Sequence, residues 1–353
     1  MKRLLFLVIG FVAALMSAEL FLQALPVSTS TKTGYYISPN ILTNPPNHVW
    51  TMATGWDLRD VQHMHSNNMG FAAEHDFVPA SNAVGLVGDS YVEASMLAMG
   101  DRPAAQLEKA LGGYPVYAMG GPGSSLLDYA ERIRWARQTL GIKTFVVMME
   151  HADASQAVCG SGNVHARCLQ PQTLQPVVER VPPSGLLKSV LRASALAQYL
   201  NSQLKFSAGR LSAPAFWRSG APSDSGDKLA ATPASATLTT RQQTIIDTAI
   251  NAFFSEMDAL DDIHMIFVID MNRRNLYTPA RWPDESYHMA ERLRSRGCIV
   301  VMGEPLYRQH LQHSSLRLEM GPHDQHLNKI GVALLMKAAA HDLHRQGNGV
   351  QRY

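Results

Sequence analysis

The sequence has no run of basic residues, and its charges nearly cancel: 31 Lys and Arg against 29 Asp and Glu leave a net charge of +2 at pH 7. Proteins that bind nucleic acids neutralise phosphates with clustered Lys and Arg, so this balance argues against a nucleic-acid partner. Charged residues fill only 17% of the 353 positions, whereas 46% are hydrophobic. That composition is typical of a globular protein with a sizeable core, built as one large domain or two small ones.

Cysteine is also scarce, with three residues in the chain. Cys159 and Cys168 flank the short, glycine-containing segment 160–167, and this spacing predicts a small disulfide loop in an oxidising compartment. Cys298 opens an apolar run, which favours a core thiol. No second Cys or His pair stands nearby at zinc-site spacing, so we expect no metal at the cysteine pair.

A long apolar run stands at the N-terminus, from Leu4 to Leu25, directly after Lys2 and Arg3. Its length matches the roughly 20 residues that an α-helix needs to cross a bilayer. We interpret residues 1–26 as an uncleaved membrane anchor, with the two basic residues in the cytoplasm and the rest of the chain outside it.

A cleaved signal peptide is the alternative for this segment. If Ala18 were the last residue removed, Met16 would occupy a position that prefers a small side chain, which argues against cleavage. Ser17, Glu19 and Gln23 make the second half of the run less apolar and keep the alternative open.

Residues 27–82 are rich in Asn, Pro, Thr and His and lack sustained periodicity, so we expect an extended leader that wraps the domain. His63 and His65 alternate there as strand neighbours do. Surface positions are the simpler interpretation for this pair, because a metal site would need a further ligand.

Short apolar runs alternate with helical patterns from residue 83 onward. The predicted strands are 84–88, 115–119, 144–149, 264–270 and 298–302. The predicted helices are 91–99, 102–112, 125–140, 239–259, 284–296 and 328–345. Apolar strands that alternate with helices indicate a parallel sheet covered on both faces. The predicted fold class is therefore α/β, a three-layer α/β/α domain over residues 83–345 with a five-stranded parallel sheet.

An insertion, residues 154–238, interrupts this alternation. Residues 186–204 within it have a helical pattern whose apolar positions suit a lid or a membrane-facing stripe, although packing on the sheet is the simpler interpretation. Residues 206–236 are rich in Ala, Ser, Pro and Gly, and this composition predicts a mobile loop.

The stretch 83–99 has the pattern of a strand, a tight turn and a helix, with Gly88, Asp89 and Ser90 at the turn. This arrangement lifts the hydroxyl of Ser90 clear of the sheet, beside free backbone N–H groups that favour an oxyanion. Asp and Ser are also common helix caps, so these three residues alone fit an ordinary N-cap as well as a nucleophile.

Further candidate residues follow the later strands, where ligands of an open parallel sheet bind. Gly120 can offer a backbone N–H to an oxyanion, with Gly121 and Gly123 close behind, although strand–helix turns also use glycine. Before the last predicted helix, Asp324 and His326 can supply from one loop the base that a serine nucleophile needs and the acid that orients the base.

With these residues in place, the chain resembles the SGNH (GDSL-type) hydrolase superfamily. The matching segments are GDSYVEA at 88–94, AMGGPG at 118–123 and DQHLNKIG at 324–331. NNMGF at 67–71 and the apolar N-terminus resemble the bacterial membrane-tethered branch of that superfamily. The resemblance covers most of residues 67–345 and implies a flavodoxin-like three-layer fold without a cofactor or a catalytic metal.

The resemblance implies a role for each candidate. Ser90 would be the nucleophile, His326 the general base and Asp324 the residue that orients it. The backbone N–H groups of Ser90 and Gly120 would form the oxyanion hole.

The third motif of the superfamily is altered in this chain. The strand is normally followed by Asn-Asp, and the Asn side chain is a further oxyanion donor, but this chain has Glu150-His151-Ala152-Asp153. Ala152 falls at the Asn position and cannot donate a hydrogen bond. His151, or a group of the cysteine loop such as Asn163, is the candidate replacement.

The sequence therefore predicts a serine esterase tethered to the inner membrane with its catalytic domain in the periplasm, or a soluble periplasmic or secreted enzyme if the N-terminal segment is cleaved. Its expected substrates are O-acyl esters, on envelope or exopolysaccharide sugars or on another small molecule. An O-acyltransferase and a non-catalytic carbohydrate-binding or assembly protein are the alternatives. A metal cluster within residues 323–326 is a further alternative, but it would leave the Ser90 motif unexplained.

Overall fold

The computed structural model describes residues 2–29, 32–80, 82–161, 166–180, 185–204, 237–279, 282–321 and 324–350, apart from the side chains of 186–188 and 346–350. The described chain divides into two compact units. The described residues of the smaller unit are 2–29, 32, 48–65 and 185–204, and those of the larger unit are 33–47, 66–80, 82–161, 166–180, 237–279, 282–321 and 324–350.

The helices and strands are numbered here along the chain. The strands are β1 Gly34–Ser38, β2 Ile41–Thr43, β3 Val49–Thr54, β4 Arg59–His65, β5 Val84–Gly88, β6 Val116–Gly120, β7 Thr144–Met149, β8 Arg167–Leu169, β9 Pro176–Val178, β10 His264–Ile269, β11 Ile299–Met302, β12 Glu319–Gly321 and β13 Asp324–Leu327. The α-helices are α1 Lys2–Gln23, α2 Ser90–Glu93, α3 Pro103–Ala110, α4 Leu126–Leu140, α5 Leu186–Ala193, α6 Ala195–Gln198, α7 Thr240–Met257, α8 Arg274–Tyr277, α9 Ser286–Arg294, α10 Gly303–His313 and α11 Lys329–Val350.

The larger unit is built on a five-stranded sheet with the strand order β11-β10-β7-β5-β6, and every pair in it is parallel. All residues of β5 and β6 are buried, as are five of the six residues of β7. Burial on both faces explains why the strands are continuous apolar runs rather than alternating ones. The five predicted strands lie within one or two residues of these elements, and the predicted fold class is confirmed.

Helices cover the two faces of the sheet. Helix α11 packs against α3 and α10, whereas α7 packs against α4 and α9. Helix α4 begins with a capping box between Ser125 and Asp128, and it ends at Gly141, which adopts a left-handed φ of 75°. The two sets of helices and the sheet form the three predicted layers, and the carboxyl ends of β5, β6, β7 and β10 meet at one edge.

The larger unit differs from the sequence predictions in several elements. Helix α2 ends after one turn, whereas the sequence predicted a helix to residue 99, because Ala94 adopts a left-handed φ of 44°. No breaker residue marks this end, so local propensity could not show it. Helix α10 was not predicted, and the segment predicted as a loop around Asp324 is strand β13, paired antiparallel with β12.

Residues 27–82, predicted as an extended leader, contain two antiparallel strand pairs. Strands β1 and β2 belong to the larger unit, and β3 and β4 belong to the smaller one. His63 and His65 do alternate along β4.

The predicted disulfide is present in the cysteine loop. Cys159 and Cys168 form a disulfide with their Cα atoms 5.0 Å apart. Cys298 forms no disulfide and is partly buried against the core.

The smaller unit consists of α1, the β3–β4 hairpin and residues 185–204. Within it Trp50 and Met64 of the hairpin are buried, and Gln203 donates a hydrogen bond to the carbonyl of Ala53. Among the described residues, α1 alone is long and apolar enough to span a membrane. The predicted loop at 206–236 lies outside the described residues.

Candidate active site

Ser90 occupies the first position of α2, two residues after the carboxyl end of β5. The helix cap is Asp89, whose carboxylate accepts a hydrogen bond of 2.8 Å from the backbone N–H of Tyr91. The capping role therefore falls to Asp89, and the hydroxyl of Ser90 is left to make another contact.

That contact is with His326 of β13. The side-chain oxygen of Ser90 lies 2.9 Å from Nε2 of His326, and Nδ1 of His326 lies 2.6 Å from a carboxylate oxygen of Asp324. The same oxygen accepts the backbone N–H of His326 at 2.9 Å, which holds the carboxylate in place beside the ring. The structure thus joins the three side chains in one chain of hydrogen bonds, with the geometry that a serine nucleophile, its base and an orienting acid require.

The surroundings of His326 favour its protonated form. Burial opposes a charge on the ring, but the hydrogen bond to Asp324 and the charges of Asp324 and Asp89 outweigh burial and raise the pKa of His326. An imidazole with a raised pKa is a stronger base toward the Ser90 hydroxyl. The carboxylate of Asp324 also holds the proton on Nδ1, so that Nε2 can accept.

Burial has the opposite consequence for the neighbouring carboxyl group of Asp89. Burial raises the pKa of Asp89 to about 6, the charge of Glu150 adds to this effect, and the N–H bond from Tyr91 opposes it. Because Glu150 follows β7, this interaction shows that the ends of β5 and β7 share one electrostatic environment.

Gly120, the predicted second donor, closes β6 and pairs with Gly88 at the end of β5. A Cβ atom at Gly120 would lie 2.4 Å from the backbone nitrogen of Glu93 and 3.0 Å from the carbonyl oxygen of Asp89. The backbone of β6 therefore packs directly against α2, and only glycine allows this approach. Gly120 fixes the position of the turn that carries Ser90.

Arg132 of α4 lies under this turn and was missed by sequence reasoning. Its guanidinium is buried and donates to the carbonyl of Gly88 at 2.8 Å and to the hydroxyl of Ser124 at 2.8 Å. It ties the end of β5 to the loop that follows β6. An arginine inside an amphipathic helix carries no local signal of this role.

The altered third motif forms its own network. His151 pairs through Nδ1 with the carboxylate of Glu150, and Glu150 also accepts the backbone N–H of Ala152 at 2.8 Å. Asp153 is fully buried and accepts hydrogen bonds from the hydroxyl of Tyr129 at 2.8 Å and from the N–H of Glu150 at 2.9 Å.

The ionisation of this network favours a charged imidazole. Burial opposes a charge on His151, but the charge and hydrogen bond of Glu150 outweigh it and raise the pKa of His151. Burial, together with the charges of Asp89 and Glu150, raises the pKa of Asp153 well above its usual range. Both shifts favour the protonated forms of His151 and Asp153. Asn163, the other candidate donor, lies outside the described residues.

Arg273 supports the strand that carries His326, and it too was missed. It is buried, pairs with Asp270 and with Glu319 at 3.1 Å, and donates to the backbone carbonyl of Gln325. Tyr91 donates to the same carbonyl at 3.0 Å, so α2 and the strand of His326 share this anchor.

The signal that could have found Arg273 is its position. Asp270 follows β10 at the same edge of the sheet as Ser90, where polar residues after a buried strand point to a site. Tyr307 of α10 completes the support by donating to Asp270 at 2.8 Å.

No protein-family model matches the sequence, and no curated protein matches it. Solved structures of similar fold include a putative lipolytic protein of the G-D-S-L family from Desulfitobacterium hafniense DCB-2, at 10% identity over 74% of this chain and 98% of that chain, with a TM-score of 0.37. A lipolytic G-D-S-L protein from Veillonella parvula DSM 2008 matches at 11% identity over 73% of this chain and 96% of that chain, with a TM-score of 0.37.

A third similar structure is LAE5, an alpha/beta hydrolase enzyme from the metagenome of Lake Arreo, at 13% identity over 75% of this chain and 96% of that chain, with a TM-score of 0.36. At such identities and TM-scores the similarity does not show an activity.

Proposed function

We propose that this protein is a membrane-tethered serine esterase that removes O-acyl groups from sugars outside the cytoplasm. The observation that carries the proposal is the chain of hydrogen bonds from the Ser90 hydroxyl to His326 at 2.9 Å and from His326 to Asp324 at 2.6 Å. A hydroxyl, a base with a raised pKa and an orienting carboxylate in this order form the arrangement for covalent acyl transfer.

The reaction proceeds through an ester on Ser90. His326 takes the hydroxyl proton as the oxygen attacks the acyl carbonyl carbon, and the carbonyl oxygen becomes the oxyanion. When this intermediate collapses, the bond from carbon to the sugar oxygen breaks, and His326 gives its proton to the leaving oxygen. Water then attacks the Ser90 ester with the same assistance, which releases the carboxylic acid and restores the serine.

The oxyanion would be held by the backbone N–H groups of Ser90 and Gly120, with His151 as the third donor in place of the missing Asn. The pairing of His151 with Glu150 supports this role because it favours a protonated, hydrogen-donating ring. A donor at this position is worth about 2.7–4 kcal/mol of transition-state stabilisation.

Export and membrane attachment are supported by two features. Helix α1 has 22 residues, which corresponds to about 33 Å and is enough to cross a bilayer. The disulfide between Cys159 and Cys168 fits an oxidising compartment such as the periplasm.

Retention of the N-terminal helix is supported by Glu19. Its carboxylate accepts the hydroxyl of Ser194 at 2.7 Å and the N–H groups of Ala195 and Leu196, each at 2.8 Å. Cleavage after Ala18 would break the helix immediately before this residue. The substrate class is drawn from the resemblance to the membrane-tethered branch of the superfamily.

The non-catalytic alternative is motivated by Ala152 at the position of the family's oxyanion Asn. Labelling with a fluorophosphonate tests both possibilities, because this reagent reacts with an activated serine and not with an ordinary hydroxyl. We expect the wild-type chain to be labelled and the Ser90→Ala variant to remain unlabelled. Absence of labelling in a folded wild-type protein would support the binding-protein alternative.

A further inference from the structure

The smaller unit contains a short amphipathic helix whose apolar side is exposed. Spaced at 100° per residue, Val190, Leu191 and Ala193 share one side of α5, and Ser189 and Arg192 share the other. Val190 is 65% exposed and Leu191 is 49% exposed. An exposed apolar face opposite a polar face that carries a basic residue is typical of a helix lying in a membrane interface.

The depth of α5 in the bilayer is set by its attachment to α1. Glu19 accepts hydrogen bonds from Ser194, Ala195 and Leu196, the residues that follow α5. Along a helix, Glu19 lies about 25 Å from Lys2. If Lys2 marks the cytoplasmic interface, Glu19 lies near the far edge of a hydrocarbon core of roughly 30 Å. The end of α5 is therefore held in the outer leaflet.

An open apolar groove of about 500 Å³ runs between the two segments. Leu15, Met16 and Leu20 of α1 line one side, and Val190, Ala193 and Leu196 line the other. Leu15, Met16 and Leu20 also belong to the surface of α1 that faces lipid when α1 spans the bilayer. The lipid-facing surface of α1 is therefore continuous with the groove. An acyl chain fits this continuity, because it needs no polar partner.

The hairpin of the same unit adds an aromatic residue. Trp56 lies between β3 and β4 and is 69% exposed, and its carbonyl accepts the hydroxyl of Tyr199 at 2.7 Å. Tryptophan and tyrosine are enriched where a membrane protein meets the headgroups.

We propose that α5 lies in the outer-leaflet interface beside α1, with its apolar face against lipid acyl chains that also fill the groove. This inference rests on the membrane tether proposed above. It makes residues 185–204 a second point of membrane contact, in addition to the anchor.

Spin labels on single cysteines in phospholipid nanodiscs test the inference with the full-length chain. The parent is Cys298→Ser, which retains the disulfide, and labels are placed through Val190→Cys on the apolar side and Ser189→Cys on the polar side of α5. Power saturation compares access by oxygen, which partitions into lipid, with access by a water-soluble nickel chelate. We expect the ratio of oxygen to nickel access to be several-fold higher at position 190 than at position 189.

A third label, through Phe11→Cys in the middle of α1, tests the membrane tether separately from the position of α5. If position 11 is in lipid and positions 189 and 190 are equally open to nickel, α5 lies in water and the inference is wrong while the tether stands. If position 190 is closed to both reagents, a protein surface covers it, and the inference is again wrong. If position 11 is itself open to nickel, the tether fails and the inference fails with it.

Discussion

The side-chain oxygen of Ser90 lies 2.9 Å from Nε2 of His326, although 236 positions of sequence separate the two residues. Ser90 follows the end of β5 in the parallel sheet, and His326 lies on β13 of the β12–β13 hairpin.

The first prediction concerns the triad as a unit. Ser90→Ala and His326→Ala should each abolish hydrolysis of an acyl ester, and the double variant should be no worse than either alone, because the two groups act in one step. The control is His288→Ala, which removes another histidine paired with a carboxylate, that of Asp247 at 3.0 Å. Steady-state kinetics on variants that retain wild-type circular dichroism provide the measurement. If His288→Ala and His326→Ala lose activity alike, the assignment is wrong.

The second prediction is the pH dependence of catalysis. The base must be neutral to accept a proton, so kcat/KM should fall as the pH drops through the pKa of His326. Because Asp324 and Asp89 raise that pKa, the midpoint should lie above the ordinary value of about 6.5. Asp324→Asn removes the main interaction that raises this pKa, while burial, which lowers it, remains, so the midpoint should move to lower pH and the rate should fall. A midpoint that does not move would show that Asp324 does not act on His326.

The third prediction tests the close contact at Gly120. Gly120→Ala keeps the backbone N–H but places a methyl group against the backbone of α2, so the turn that carries Ser90 must shift. A displacement of about 1 Å can lower kcat by roughly 10²-fold. Gly100→Ala is the matched control, since nothing lies within 4 Å of a Cβ atom there. Equal fluorophosphonate labelling rates in the two variants would contradict this explanation.

The fourth prediction concerns the missing oxyanion donor. His151→Ala should lower kcat by roughly 10²-fold with little change in KM, because the lost hydrogen bond forms only in the transition state. His75→Ala serves as the control, since His75 also pairs with a glutamate, Glu108, at 2.9 Å. An unchanged kcat in His151→Ala would remove His151 from the site.

The fifth prediction concerns Arg273 as a positioning residue. Arg273→Lys keeps the charge but loses the planar fork that reaches Asp270, Glu319 and the Gln325 carbonyl together. We expect kcat to fall about tenfold, equivalent to about 1.4 kcal/mol, with KM nearly unchanged. Arg274→Lys is the control, because Arg274 stacks on Trp282 instead. If Arg273 had only a structural role, Arg273→Lys would lower the melting temperature without lowering kcat at a nearly unchanged KM.

Much of the fold could be predicted because its signals are local. The strands of the sheet are apolar runs bounded by glycine or polar residues, and their burial on both faces is the reason for that pattern. The cysteine spacing likewise predicted the disulfide that the structure contains. The candidate residues Ser90, Asp324 and His326 could be named from short motifs, although their catalytic roles stay predictions.

Other features were decided only by tertiary structure. Helix α2 stops at Ala94, and Arg132 and Arg273 hold carbonyls of segments distant in sequence. Spacing along the chain reports relations between residues two to four positions apart, through the periods of strands and helices. This spacing does not indicate which strands become neighbours in the sheet. The strand order and the hairpins determine which buried arginine meets which carbonyl, so the supports of the site could be found only once the chain was folded.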